Sequence, residues 1–365
     1  MSKTLGFKWL VGGVVGVSLL GACGAPADSA EELAAEQSAT SGEIAVSLSA
    51  SKSALGANED VAVKVTFTNV SSEPVRLLNW VIPGTARVQE GLFEVTRNGE
   101  PVEYIGPHIK RVAPGAEDFI TLAPGQSVSG TAPVSGLYDL EESGSYTVRF
   151  AAELGQHHTS LTKAALLDSS LLNLWIEGRA SGQPEVQAQG TVSAAGLTFS
   201  GACTSTEQSS ITSAMSSART YANNASTYLN GTTTGTTRYK TWFGTYSSTN
   251  VTTARNHFTN IKNALANAAV VVDCSCSDSY FAYVYPASPY KIYVCNAFWS
   301  APTTGTDSKA GTLVHEMSHF NVVAGTDDHA YGQSAAKSLA TSNPTRALDN
   351  ADNHEYFAEN TPSLP

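Results

Sequence analysis

Two histidines four residues apart bracket a glutamate in His315-Glu316-Met317-Ser318-His319. Residues four apart on a helix face the same way, so both imidazoles can reach one metal ion. Glu316 lies between them, where it can take a proton from a water that the metal activates. The preceding Thr312-Leu313-Val314 suits a partly buried helix. A surface helix whose histidines bind nothing would carry the same letters, so the pattern needs a third ligand. A hydrolytic zinc has three protein ligands and one open position. A Gly-then-His continuation three and six residues after His319 is excluded, because Val322 and Gly325 stand there. Glu355 or Glu359, on a later helix, is one solution. The other is a carboxylate in the turn Gly325-Thr326-Asp327-Asp328-His329-Ala330-Tyr331-Gly332. Gly325 permits a sharp reversal. Spacing then favours Asp328 over Asp327, and His329 reads as a neighbour rather than a ligand.

Other residues carry weaker signals. Asp352 and Glu355 are three apart on a helical stretch and share a face. Alone they read as a solvated acidic face; lining a pocket, two carboxylates would favour a Lys ammonium. Cys203, Cys274, Cys276 and Cys295 form an even set in an exported chain, which reads as two disulfides. A bond across the single residue between Cys274 and Cys276 would be strained, which leaves two pairings. A four-thiolate metal site is disfavoured by the same short gap. At the N-terminus, Lys3 and Lys8 flank an apolar run over 9–20 that ends in Leu20-Gly21-Ala22-Cys23. It is too short to span a bilayer and reads as an export signal. Its last four residues resemble a bacterial lipobox, which would make Cys23 a lipidated residue and anchor the chain to a membrane.

These groups must be positioned by folded elements. The chain has 365 residues, 42% hydrophobic and 15% charged, enough for two cored domains. Its net charge of -11 leaves no basic surface for phosphates, so nucleic acid is not an expected partner. Residues 1–23 are the expected signal peptide with lipobox, and 24–42 a small, acidic tether. Over 43–154 the pattern is short strands: Val61, Val63, Val65 and Phe67 alternate, and Asn98-Gly99 and Pro124-Gly125 mark turns. That predicts an all-β, immunoglobulin-like sandwich. Residues 155–197 read as a linker. Over 198–365 the reading is mainly α with a small β element (α+β). Helices are expected over 207–229, 251–268, 304–320, 331–341 and 350–360, with a hairpin from 280–285 and 291–294.

The run His315-Glu316-x-x-His319, then Gly325-Thr326-x-Asp328-x-x-Tyr331-Gly332, resembles the aspzincin signature of the deuterolysin-type metalloendopeptidases, nearest to their peptidyl-Lys members. Thr241-Trp242-Phe243-Gly244, Phe281-Ala282-Tyr283-Val284-Tyr285-Pro286, Ala301-Pro302-Thr303-Thr304-Gly305-Thr306-Asp307 and Ala351-Asp352-Asn353-His354-Glu355-Tyr356-Phe357 extend the resemblance, which covers about 198–365. It implies a zincin catalytic domain with one Zn²⁺ held by His315, His319 and Asp328. It implies Glu316 as general base and Tyr331 as oxyanion donor. It also implies the bonds Cys203–Cys274 and Cys276–Cys295. Asp352 and Glu355 would shape a pocket for the Lys that becomes a new N-terminus, so protein or peptide substrates are expected, cut at X–Lys by a monomer. Because the mature enzymes of this family resemble only the C-terminal half, the β domain is expected to be a prodomain and intramolecular inhibitor. An exposed segment such as Pro107-His108-Ile109-Lys110 could fill the acidic pocket with Lys110. No Lys lies between Lys163 and Lys240, so a Lys-directed enzyme cannot cut itself within Ala180–Ala195, the exposed part of the linker. Two other readings are a deuterolysin-like protease without Lys selectivity and a lipid-anchored binding protein with a degenerate protease fold. The complete set His315, Glu316, His319, Asp328 and Tyr331 argues against the latter.

Overall fold

The computed structural model describes residues 37–41, 43–84, 91–154, 165–180 and 196–365. The expected signal peptide and Cys23 lie outside them. In strand Ala62–Asn69 the alternation is realised: Val63, Val65 and Phe67 are fully buried and Lys64 is exposed. It pairs antiparallel with Ile44–Ser49 and Ser127–Pro133, and Gln37–Ser41 adds outside Ile44–Ser49. A second sheet runs Ala54–Leu55, Leu172–Ile176, Gly144–Leu154, Phe93–Arg97, Glu100–Pro101. Asn98 and Gly99 turn the last pair with φ of 52° and 90°, the two positive values that a tight hairpin of this twist requires. The two sheets share one apolar core, where Phe67 meets Phe150 edge-on at 5.2 Å between ring centroids. Each fully buried side chain of this kind contributes about 1.5–3 kcal/mol.

The boundaries differ from the expected ones. Within 155–197, read as a linker, Ala165–Asp168 and Leu172–Ile176 both pair with Gly144–Leu154. Gln37–Ser41 likewise falls within the expected tether. The alternation of Leu172, Leu174 and Ile176 was masked because apolar Leu171 and Trp175 sit on the wet face, Trp175 at 51% exposure.

The C-terminal region is mainly helical. Thr204 and Glu207 cap helix Ser205–Gly231 reciprocally, side chain to backbone. Its inner face is small (Ala214, Ala218, Ala222, Ala225), which lets helices Ser248–Asn267 and Lys309–His319 pack closely on it. Helix Lys309–His319 is buried along its whole length, and the Ser308 hydroxyl caps it by accepting from Gly311 N at 2.9 Å. A helix so central must find partners for its polar side chains inside the protein. Cys203–Cys274 and Cys276–Cys295 are bonded, over sequence separations of 71 and 19. In a chain-entropy account such loops are worth about 4 and about 3 kcal/mol.

A five-stranded sheet flanks these helices in the order Leu197–Ser200, Val270–Asp273, Lys291–Val294, Ala282–Val284, His108–Lys110. The last strand comes from the β region. It runs antiparallel to Ala282–Val284, with Lys110 opposite Ala282, Ile109 opposite Tyr283 and His108 opposite Val284. The segment expected to be exposed is therefore an integral edge strand, with Ile109 and Lys110 fully buried.

Candidate active site

His315 and His319 lie one turn apart on helix Lys309–His319. After the helix the chain reverses at Gly325, whose φ of 58° suits a residue without Cβ. Thr326 secures the reversal: its amide donates to Ser318 O at 3.2 Å and the two hydroxyls meet at 2.6 Å. Asp328 is thereby returned to both rings, Oδ1 3.2 Å from His315 Nε2 and Oδ2 3.4 Å from His319 Nε2. His319 donates from Nδ1 to Thr326 O at 2.7 Å, which leaves Nε2 as a lone pair towards Asp328. Behind His315, Asp352 Oδ1 stands 3.0 Å from Nδ1. Burial works to raise the Asp328 carboxyl, yet His319 and His315 hold it well below the ordinary range. Both Nε2 atoms and both Asp328 oxygens are buried without hydrogen-bond partners. Such groups cost roughly 1–3 kcal/mol each unless something satisfies them. Two imidazoles and one carboxylate so disposed are a donor set that fits zinc with a fourth position open.

Glu316 is fully buried, and burial pushes its carboxyl up to about 8 against the opposing pull of His315. Tyr331 donates from Oη to the Ile109 carbonyl at 2.9 Å. The His108 ring stacks on His319, with centroids 4.8 Å and planes 11° apart, and its donor atom groups with those of His319 and Asp328.

The acidic pair of helix Ala351–Glu359 is not solvated. Lys110 Nζ lies 2.6 Å from Glu355 Oε2, 3.2 Å from Asp352 Oδ1 and 3.9 Å from Asp307 Oδ1, over the Phe281 ring at 4.9 Å. Burial disfavours the ammonium, but the three carboxylates raise it well above the usual lysine range. Asp352 also accepts from Gly332 N at 2.6 Å, so one carboxylate touches the pocket, the His315 ring and the turn after Tyr331. Asp307, the last residue of a run that resembles the family but without an expected role, is a further member. Tyr356 Oη donates to it at 2.5 Å, and its φ of 50° turns it towards the pocket helix.

The remaining candidates lie elsewhere. Glu359 accepts from Ser308 N at 2.9 Å and Oγ at 2.7 Å, so it braces the start of helix Lys309–His319; burial and Glu355 push it up to about 9. Glu355 faces Lys110 and the Nδ1 side of His315, at 3.4 Å. Asp327 turns to His108 Nδ1 at 3.2 Å, and His329 to Asp349 and Arg346, both at 2.8 Å.

Comparison with known proteins bears on this geometry. A family model described as lysine-specific metallo-endopeptidase, of aspzincin type, matches residues 228–359. An extracellular protease of Aeromonas hydrophila is 47% identical over 315 residues, covering 84% of this chain and 90% of its own. A peptidyl-Lys metalloendopeptidase of Grifola frondosa is 38% identical over 320 residues, covering 83% of this chain and 89% of its own. Another peptidyl-Lys metalloendopeptidase, of Pleurotus ostreatus, is 52% identical over 168 residues, 46% of this chain and 99% of its own. With such identity over most of both chains, this protein belongs to the aspzincin family and is a zinc metalloendopeptidase.

Proposed function

We propose that the chain is an exported precursor whose region 198–365 hydrolyses X–Lys bonds in proteins, and whose β region keeps it latent. The observation that carries the Lys reading is the ammonium of Lys110 held by Asp352, Glu355 and Asp307. The Grifola and Pleurotus relatives, both peptidyl-Lys metalloendopeptidases, support the same substrate class. The Pleurotus relative matches over 99% of its length yet covers only 46% of this chain, which supports an enzyme that works without the β region. Export is supported by Lys3, Lys8 and the apolar run over 9–20, and by the extracellular relative; Cys23 would carry the lipid if the anchor forms.

The proposed ligands are His315, His319 and Asp328. Zinc held there supplies a water made nucleophilic near neutral pH and a polarised scissile carbonyl. Glu316 takes the proton of the attacking water and hands it to the leaving amine. Tyr331 donates to the carbonyl oxygen as charge develops on it, as it donates to Ile109 O. The Thr326 carbonyl and the Asp352 carboxylate keep the two imidazoles oriented. A peptide would add as a strand to Ala282–Val284 in the place of His108–Lys110, with its Lys in the acidic pocket. Latency follows from the same geometry: Lys110 fills the pocket and His108 lies over His319.

The test is to digest an unfolded protein with the activated enzyme, with and without a zinc chelator, and to map each new N-terminus by mass spectrometry. Chelator-sensitive cuts that leave Lys at the new N-terminus are expected. Chelator-sensitive cuts without that preference would refute the role of the acidic pocket. Glu355→Gln should weaken the Lys preference at least tenfold while zinc content, read by metal analysis, is unchanged.

A further inference from the structure

We infer that the precursor's own Ile109–Lys110 peptide bond is the first bond this enzyme cuts, within its own chain. The inference rests on the X–Lys reading above. A segment that merely blocked the cleft would need only to fill it. Three contacts of this one are those that a substrate would make. His108–Lys110 is hydrogen-bonded as an antiparallel strand to Ala282–Val284, and Phe281 N donates to Lys110 O at 3.0 Å. The side chain in the acidic pocket is a lysine, with Nζ 2.6 Å from Glu355. The carbonyl just before that lysine, Ile109 C=O, is the one that accepts from Tyr331 at 2.9 Å. For cleavage on the amino side of lysine, that carbonyl is the scissile one. His108, Asp328 and Tyr331 are among the residues that line a cavity of about 370 Å³, far more room than a water molecule needs.

The step balances with solvent as its only co-reactant. The oxygen of a water bonds to the Ile109 carbonyl carbon, Glu316 carries a proton from that water to the Lys110 nitrogen, and the C–N bond breaks. Ile109 ends as a carboxylate and Lys110 as a free α-amine. The His108 ring over His319 crowds the approach, and Lys110 stays gripped in its pocket, so the cut is slow. The inference also gives the precursor a self-processing site that the stretch 164–239, which contains no Lys, does not offer. It would sever residues up to 109 from the remainder of the chain and open the strand that closes the cleft.

The experiment follows zinc-loaded full-length precursor over time at several protein concentrations, by intact mass and N-terminal mapping, with an unfolded reporter protein added late. The earliest new N-terminus should be Lys110, formed at a rate independent of concentration. It should be absent with chelator and in Glu316→Gln, whose folding is checked by its melting curve. A first cut elsewhere, or a rate proportional to concentration, would overturn the inference. If the reporter is cut at X–Lys and no Lys110 terminus ever forms, the inference fails and the substrate reading stands. If the reporter is cut without Lys preference, the substrate reading itself fails. Amide hydrogen exchange on the uncut, zinc-free precursor gives a check independent of activity. The Phe281 amide should be protected, and exchange there at the rate of an exposed loop would overturn the substrate-like register.

Discussion

The β region and the helical region bury different materials. Between 37 and 180 the core is Val, Leu, Ile, Phe and Tyr from two facing sheets. The buried Asn69 and Ser169 there bond to backbone groups, Leu122 O and Phe150 N. Between 196 and 365 two helices alone, Lys309–His319 and Ala351–Glu359, bury His315, Glu316, His319, Asp352, Glu355 and Glu359. Among the described residues of the β region the buried cations are Lys110 and Arg111, on or beside the strand that leaves its own sheets to complete the other region's. Apolar burial asks only for a pattern of about the right volume. Charge burial asks for a specific partner at a specific distance. One region can thus be altered in many ways without harm to the chemistry, while the other has little freedom.

The largest expected effect probes that intolerance directly. Glu316→Gln changes no volume, yet X–Lys hydrolysis by the activated enzyme should fall on the order of 10⁴-fold with zinc content unchanged. A loss under tenfold would mean that this buried charge is as dispensable as a β-core residue. Lys110→Met follows. It leaves Asp352 and Glu355 facing each other without a cation, and stranding buried charge in this way costs roughly 3–5 kcal/mol. Uncut precursor should then cleave a small Lys peptide that wild-type precursor does not; equal latency of the two would place the hold elsewhere. Tyr331→Phe removes one donor and keeps the ring against Trp80. It should lower kcat by about 10²-fold with KM little changed, the behaviour of a group that acts on developing charge.

The smallest effect sharpens the comparison through pH. Burial, with His257 beside it, depresses His354 to about 3 from 6.5. The folded chain therefore keeps this ring neutral while the unfolded chain protonates it below about 6.5. The stability is whole above that pH and declines as pH falls towards about 3. At pH 5 the loss is about 2 kcal/mol. Urea unfolding of the wild-type chain and of His354→Asn, compared at pH 7 and pH 5, measures it. A variant with the same pH slope as wild type would show that this ring does not set the acid sensitivity.

Much of the site was legible because it is local. The four-residue spacing puts His315 and His319 on one helix face, and Gly325 announces the reversal that returns Asp328 to them. The third ligand stayed ambiguous from local pattern, since Glu355 and Glu359 are carboxylates on a helix that also packs nearby. Their separation is a matter of tertiary contact: Glu359 is spent on Ser308 and Glu355 on Lys110. No role for Asp307 is legible in the sequence because its partners, Tyr356 and Lys110, are remote in the chain. Strand Leu172–Ile176 is hidden in the sequence because exposed, apolar Leu171 and Trp175 blur the period of two.

By itself the sequence determined what repeats at short range: the alternating strands, the capped helices, the His-Glu-His face and the turn after it. Periodicity and capping are local consequences of backbone geometry, so they can be read without knowing what packs against them. The sequence could name Lys110 as a candidate for the acidic pocket, but not its register. Only the tertiary structure decided that His108–Lys110 joins the sheet beside Ala282–Val284, that Ile109 O meets Tyr331, and that an acidic helix face is a buried lysine pocket. Those contacts join residues as many as 242 positions apart. Their energies depend on removing charge from water against a particular partner, which no local pattern encodes.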